Sequence, residues 1–143
     1  MKKYIGVKIV EAEPMSLVNA EEHLERKIKP GDEDGYLVRY ADDYESWSPL
    51  QQFIDAYRRT DGMSFGLAIE AAKKGMKIAR KGWNGKGIFC AIQTPDANSK
   101  MTGAYIYIDT TGLQTENLHA PKNIVPWLAS QTDMLADDWE VVI

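Results

Sequence analysis

Apolar positions recur along this chain with two periods, one suited to strands and one to helices. Tyr4 to Glu11 carries Tyr4, Ile5, Val7, Ile9 and Val10, a branched and aromatic run that predicts a strand. Pro14-Met15-Ser16 then starts a helix, with Ser16 as its cap and Leu17, Ala20, Leu24 and Ile28 at helical spacing. Lys29-Pro30-Gly31 ends it. Tyr36 to Tyr40 and Tyr44 to Trp47 flank Asp42-Asp43, which predicts a hairpin. Ser48-Pro49 opens a further helix with Pro49 at its first position, Gln51 placed to close a capping box, and a stripe of Leu50, Phe53, Ile54 and Tyr57.

After Arg59-Thr60-Asp61-Gly62 a new set of elements begins. Ser64 caps a helix whose apolar face is Phe65, Ala68, Ile69 and Ala72 and which stops at Gly75. Met76 to Arg80 and Ile88 to Thr94 read as strands, joined through Trp83-Asn84-Gly85-Lys86, whose Asn-Gly pair suits a two-residue hairpin turn. Ala104 to Asp109 is another strand, Ser130 or Thr132 caps a short helix through Met134 and Leu135, and Trp139 to Ile143 closes as a strand. The order predicts an α+β fold of antiparallel sheets with short packed helices. We expect two small modules, residues 1–60 and 61–143.

Composition narrows the class. With 143 residues, 44% of them hydrophobic and 27% charged, the chain can bury roughly two thirds of its unfolded surface without disulfides or a structural metal. The longest run free of Asp, Glu, Lys and Arg is Asn123 to Thr132, far short of the roughly 20 residues a membrane span needs. No secretory leader pattern precedes it, and the lone Cys90 suits a reducing compartment, so the expectation is a cytoplasmic protein. A net charge of −4 disfavours DNA or RNA polymers as partners, because phosphate neutralisation needs a basic excess. A small anion needs only a local cluster of donors.

Catalytic constellations are missing from the sequence. His23 and His119 belong to no HExxH arrangement, no CxxC pair is present, and no Ser has nucleophile-elbow neighbours, so neither a metal nor a cofactor is expected. Cys90, inside Ile88-Phe89-Cys90-Ala91-Ile92, reads as inert strand core. Gly82 to Gly87 superficially resembles a phosphate loop but lacks the Walker spacing and precedes a strand. Trp83 is open to two readings, core packing or an exposed indole that stacks a base beside Arg80, Lys81 and Lys86. Stacking of that kind contributes roughly 1–3 kcal/mol per base. Ser130, Gln131, Thr132 and Asp133 crowd polar groups at a helix start, where capping explains one or two of the four and an anion or ribose could use the rest. Asp137-Asp138 reads as a solvated turn, and Trp139 as core.

Three long motifs, Met63-Ser64-Phe65-Gly66-Leu67-Ala68-Ile69-Glu70-Ala71, Arg80 to Gly87, and Pro126 to Trp139, together resemble the Thoeris anti-defence 2-like family of phage and prophage proteins. The resemblance covers essentially Met63 to Ile143. It implies a small non-enzymatic sponge, tetrameric in its homo-oligomeric form, that captures a cyclic ADP-ribose-type immune signal, with cyclic dinucleotides held at a separate site in some members. Under that reading Trp83 stacks the base, Asn84 makes a polar contact beside it, Gln131, Thr132 and Asp133 bond ribose or adenine, and Arg80 or Lys86 meets phosphate. A hydrolase of the signal and an interaction scaffold are the alternatives. Residues 1–60 are similar to a small module at the start of various phage proteins and suggest no activity.

Overall fold

The computed structural model describes residues 1–143, which divide into two compact units, Met1–Arg58 and Arg59–Ile143. Both are built from antiparallel sheet and short helices, an α+β fold as the patterning predicts.

The first unit is a three-stranded sheet in the order β1-β2-β3, formed by β1 (Glu11–Pro14), β2 (Gly35–Arg39) and β3 (Glu45–Pro49). Helix α1 (Leu17–Leu24) has Ser16 as its cap, whose hydroxyl accepts from the Asn19 N–H. Leu17 and Ala20 are fully buried beside Trp47, whose indole N–H donates to the Met15 carbonyl at 2.8 Å. Helix α2 (Leu50–Ala56) meets β2 through Phe53, which stacks on Tyr36 with centroids 4.0 Å apart.

Several expectations fail here. The strand expected over Tyr4–Glu11 is confined to Glu11–Pro14, because β2 ends at Arg39, the partner of Glu11, and leaves the earlier residues nothing to pair with. Helix α1 stops at Glu25, which turns left-handed at φ 54°, rather than at Lys29-Pro30-Gly31. Pro49 stands at the cap of α2 instead of its first position, no capping box with Gln51 forms, and Leu50 and Ile54 stay exposed, so the stripe is only half used. The hairpin turn is as expected, with Asp43 at φ 66°.

The second unit is a five-stranded antiparallel sheet in the order β7-β6-β5-β4-β8, made of β4 (Lys77–Arg80), β5 (Phe89–Gln93), β6 (Tyr105–Asp109), β7 (Ile124–Pro126) and β8 (Trp139–Val142). Helix α3 (Phe65–Lys73) covers it. Ser64 caps α3, and its Ala68, Ala71 and Ala72 let the helix lie close over Ile78, Cys90 and Trp139, all of them buried. Trp139 is entirely enclosed and its indole N–H donates to the Asp133 carbonyl at 2.8 Å. The short helix α4 (Gln131–Met134) carries a capping box between Ser130 and Asp133. The chain enters the unit through Thr60, whose carbonyl accepts from Val141, and Met63, which exchanges two backbone bonds with Trp139.

The Asn84-Gly85 turn does not form. Neither residue has a positive φ, β4 and β5 pair only at Ile78 and Cys90, and residues 81–88 leave the sheet as a loop. Long-range bonds override the local turn signal: the Gly82 N–H donates to Asp138, and Lys86 pairs with Gln114. The positive φ falls instead on Gly87, at +83°, where the backbone passes against Gly112.

Candidate functional site

Arg80 ends β4 and sits between two carboxylates. Its Nε donates to Asp138 Oδ1 at 2.8 Å and its Nη1 to Asp133 Oδ1 at 2.9 Å. The Arg80 side chain is 15% exposed, so these bonds operate away from most of the solvent. Asp138 therefore is not the solvated turn residue its sequence suggests; it also accepts from the Gly82 N–H at 2.8 Å and so ties the start of the 81–88 loop to the strand.

Asp133 joins three features. One oxygen accepts from Arg80 and from the Trp83 indole N–H at 3.2 Å, while the other accepts the Ser130 hydroxyl at 2.8 Å and the Ser130 N–H. Burial pushes the Asp133 carboxyl up, but the hydrogen bonds from Arg80, Ser130 and Trp83 outweigh burial and bring its pKa down to about 2. Asp138 is likewise lowered, chiefly by its hydrogen bond from Arg80, and Arg80 is raised by Asp138 and then Asp133.

Trp83 is half-buried. It meets Trp127 and Trp139 edge to face, at centroid distances of 6.0 and 5.5 Å, and those two meet each other at 6.0 Å. The arrangement is favourable for aromatic quadrupoles and fixes the indole in one orientation. Trp83 thus both packs on the core and keeps part of its surface in solvent. The T-shaped Trp trio is visible only in three dimensions: Trp127 falls within the Pro126 to Trp139 motif, but nothing in the sequence sets it against Trp83.

The remaining candidates surround this frame by sequence. Asn84 follows Trp83 and is exposed; Lys86 is exposed and its ammonium donates to the Lys81 carbonyl at 3.0 Å. Gln131 and Thr132 are exposed on the single turn that Asp133 completes. The structure thus brings Arg80, Trp83 and Asp133 into direct contact, and records no bond from Asn84, Gln131 or Thr132 side chains to that trio.

Elsewhere, the Cys90 thiol is buried and pushed up to about 12, burial being the main cause and the Asp133 charge the second. A thiol so protonated is a poor nucleophile. His23 is exposed and bonded to Glu45 at 2.9 Å; His119 is exposed in a loop. No three His, Cys, Asp or Glu side chains gather in a way that could hold a metal ion. No helix is long and apolar enough to cross a membrane.

Against known proteins, the model of the Thoeris anti-defense 2-like domain matches residues 63–142. A relative from Bacillus phage SP01, described as Thoeris anti-defense 2, is 38% identical over 93 residues, covering 56% of this chain and 94% of the relative. The family match falls on the unit that carries Arg80, Trp83 and Asp133.

Proposed function

The chain belongs to the Thoeris anti-defense 2-like family, and from that premise we propose that it is a phage or prophage anti-defence protein that binds and sequesters a cyclic ADP-ribose-type immune signal without cleaving it. The observation that carries the reading is the family match over residues 63–142, beside a phage relative that is 38% identical and aligned over 94% of its own length.

The geometry of Trp83 supports it. A ligand-stacking indole needs a free face and a fixed plane; the trio with Trp127 and Trp139 and the bond to Asp133 hold the plane, and its partial exposure leaves surface for a base. Asn84, Gln131 and Thr132 supply exposed amide and hydroxyl groups for ribose and adenine, and Lys86 supplies the exposed cation for phosphate. Arg80 is engaged by Asp138 and Asp133, and Asp133 by Arg80, Trp83 and Ser130, so their role in this reading is to position Trp83 and the loop rather than to meet the ligand. Lys86 is then the better phosphate contact of the two basic candidates.

A homotetramer in the host cytoplasm completes the proposal. Leu128, 91% exposed, lies two residues beyond the edge strand β7, where Ile124 and Val125 are exposed as well. So much exposed apolar surface around one edge suits burial against another copy. Cyclic dinucleotides belong to the same proposal as a second ligand class.

The test is recovery of the ligand. Purified protein is incubated with a cyclic ADP-ribose signal, separated from free ligand, and heated. Depletion followed by release of the intact molecule supports sequestration. A cleaved product would show a hydrolase, and no depletion would remove this class of ligand.

A further inference from the structure

The first unit carries a strand-forming segment with no strand to pair with. Residues 4–10, Tyr-Ile-Gly-Val-Lys-Ile-Val, combine high β propensity with a single charge. In the structure no backbone hydrogen bond ties residues 1–10 to the rest of the chain. Tyr4 is 91% and Ile5 92% exposed, with Val7 and Ile9 also exposed. The segment runs directly into β1, which is an edge strand paired only with β2, so its free side continues along the segment without interruption. The Lys8 ammonium lies over the Tyr40 ring, 5.2 Å from its centroid.

We infer that residues 3–11 pair antiparallel with the same residues of a second copy, about a two-fold axis at Val7. The sequence selects that register. Centred on Val7, facing pairs are Val7 with Val7, Ile5 with Ile9 and Lys3 with Glu11 on one face, and Tyr4 with Val10 and Gly6 with Lys8 on the other. One face is then a continuous apolar row closed at both ends by opposite charges. Centring on Gly6 would set Lys3 against Ile9 and Tyr4 against Lys8, and centring on Lys8 would oppose two ammonium groups. A two-fold pairing of one surface with itself is the commonest way identical chains associate. The pairing would satisfy the exposed backbone and cover the side chains that the protomer leaves in water.

The full-length chain tests this through single cysteines, since Cys90 is buried and does not report. Val7→Cys should form a covalent dimer under mild oxidation at least ~10-fold faster than Glu22→Cys, an exposed position on α1 that shares any crowding imposed by association through the second unit. Ile5→Cys and Ile9→Cys should crosslink when mixed and remain monomeric in the gel when oxidised alone. Adding Ile5→Asp and Ile9→Asp to Val7→Cys should return the rate to the control level. Val7→Cys crosslinking no faster than Glu22→Cys would overturn the pairing, as it would if the segment served a different partner protein. Self-crosslinking of Ile5→Cys would overturn the register. Binding of the cyclic signal is measured separately and has no bearing on either result.

Discussion

Arg80 and Trp83 share one acceptor: Oδ1 of Asp133 takes the guanidinium at 2.9 Å and the indole N–H at 3.2 Å. Asp133→Ala removes both bonds and the carboxylate half of the α4 capping box in a single change, while the Ser130 hydroxyl still accepts the backbone N–H at position 133. Arg80 keeps Asp138, which limits the loss. A hydrogen bond to a charged group contributes about 1.5–3 kcal/mol and a broken, partly buried ion pair up to a few, so we expect a destabilisation of about 2–4 kcal/mol in denaturant melts. Asp133→Asn should cost less, since its amide oxygen can still accept one of the two.

The same carboxylate sets an acid limit. Its folded pKa is about 2 against an ordinary 3.8, so the folded state binds this proton less readily than the unfolded one. The associated stability is fully present above about pH 4 and disappears as pH falls toward 2. It amounts to about 2 kcal/mol. Thermal melts between pH 5 and 2 should show the wild type losing this increment and Asp133→Asn losing less. Parallel curves would show that Asp133 is not the group responsible.

Trp83→Ala should weaken binding of the cyclic signal and also lower stability. The structure alters the simpler expectation that a stacking residue can be removed without structural cost, because the indole packs edge-on against Trp127 and Trp139. Full removal of a core aromatic costs roughly 3–5 kcal/mol, and half-burial places this one below that range, at about 2–3. Trp83→Phe keeps most of the packing but loses the N–H to Asp133. It should melt close to wild type, and titration calorimetry then isolates the effect on the ligand.

Where the second unit is cut decides whether it survives alone. Thr60 accepts from Val141 at 2.8 Å, and Asp61 bonds Arg59 at 2.8 Å. A fragment of residues 59–143 should fold and hold the signal. One beginning at Gly62 loses the Thr60 bond on β8 and should be less stable by about 0.5–1.5 kcal/mol. Light scattering and melts of the two fragments compare them directly; equal stability would make the Thr60 contact incidental.

Gly87→Ala should be severely destabilising, by about 2 kcal/mol or more. The residue stands at φ +83°, and an added Cβ would collide with the Gly112 carbonyl oxygen. Urea melts measure this, and a Gly87→Ala protein as stable as wild type would mean that the loop moves freely away from Gly112.

Local chemistry was legible in the sequence wherever one element decides its own form. Ser16 and Ser64 each cap the helix that follows, as their position before apolar-periodic runs predicts, and of the two candidates Ser130 and Thr132 it is Ser130 that caps the last. Cys90 and Trp139 are buried as their alternating neighbours require. What could not be read depends on partners distant in the chain. Tyr4–Val10 has the composition of a strand, but pairing is a property of two segments and β2 is too short to reach it. Strand β7, with Pro126 in its short run, gives no periodic signal and exists because Tyr107, Ile108 and Asp109 offer it an edge. Asn84-Gly85 has the composition of a tight turn, yet Asp138 and Gln114 hold its loop open. At the candidate site, Arg80, Trp83 and Asp133 stand out in the sequence through their motifs and the polar groups beside them, while the engagement of Arg80 by Asp138 and Asp133 and the part played by Trp127 follow from packing.

The place of β8 beside β4 has a consequence for how the molecule is made. Arg80 and Asp138 are 58 positions apart, and Met63, Lys81 and Thr60 all bond to residues of β8 or the turn just before it. Until the ribosome has released the chain through Val142, α3 has no Trp139 to cover and the 81–88 loop has no anchor. A unit closed by such distant contacts folds late and slowly for its size. Nascent chains should therefore stay open to protease until synthesis of this unit is complete, and the protein should become competent in one step rather than by degrees.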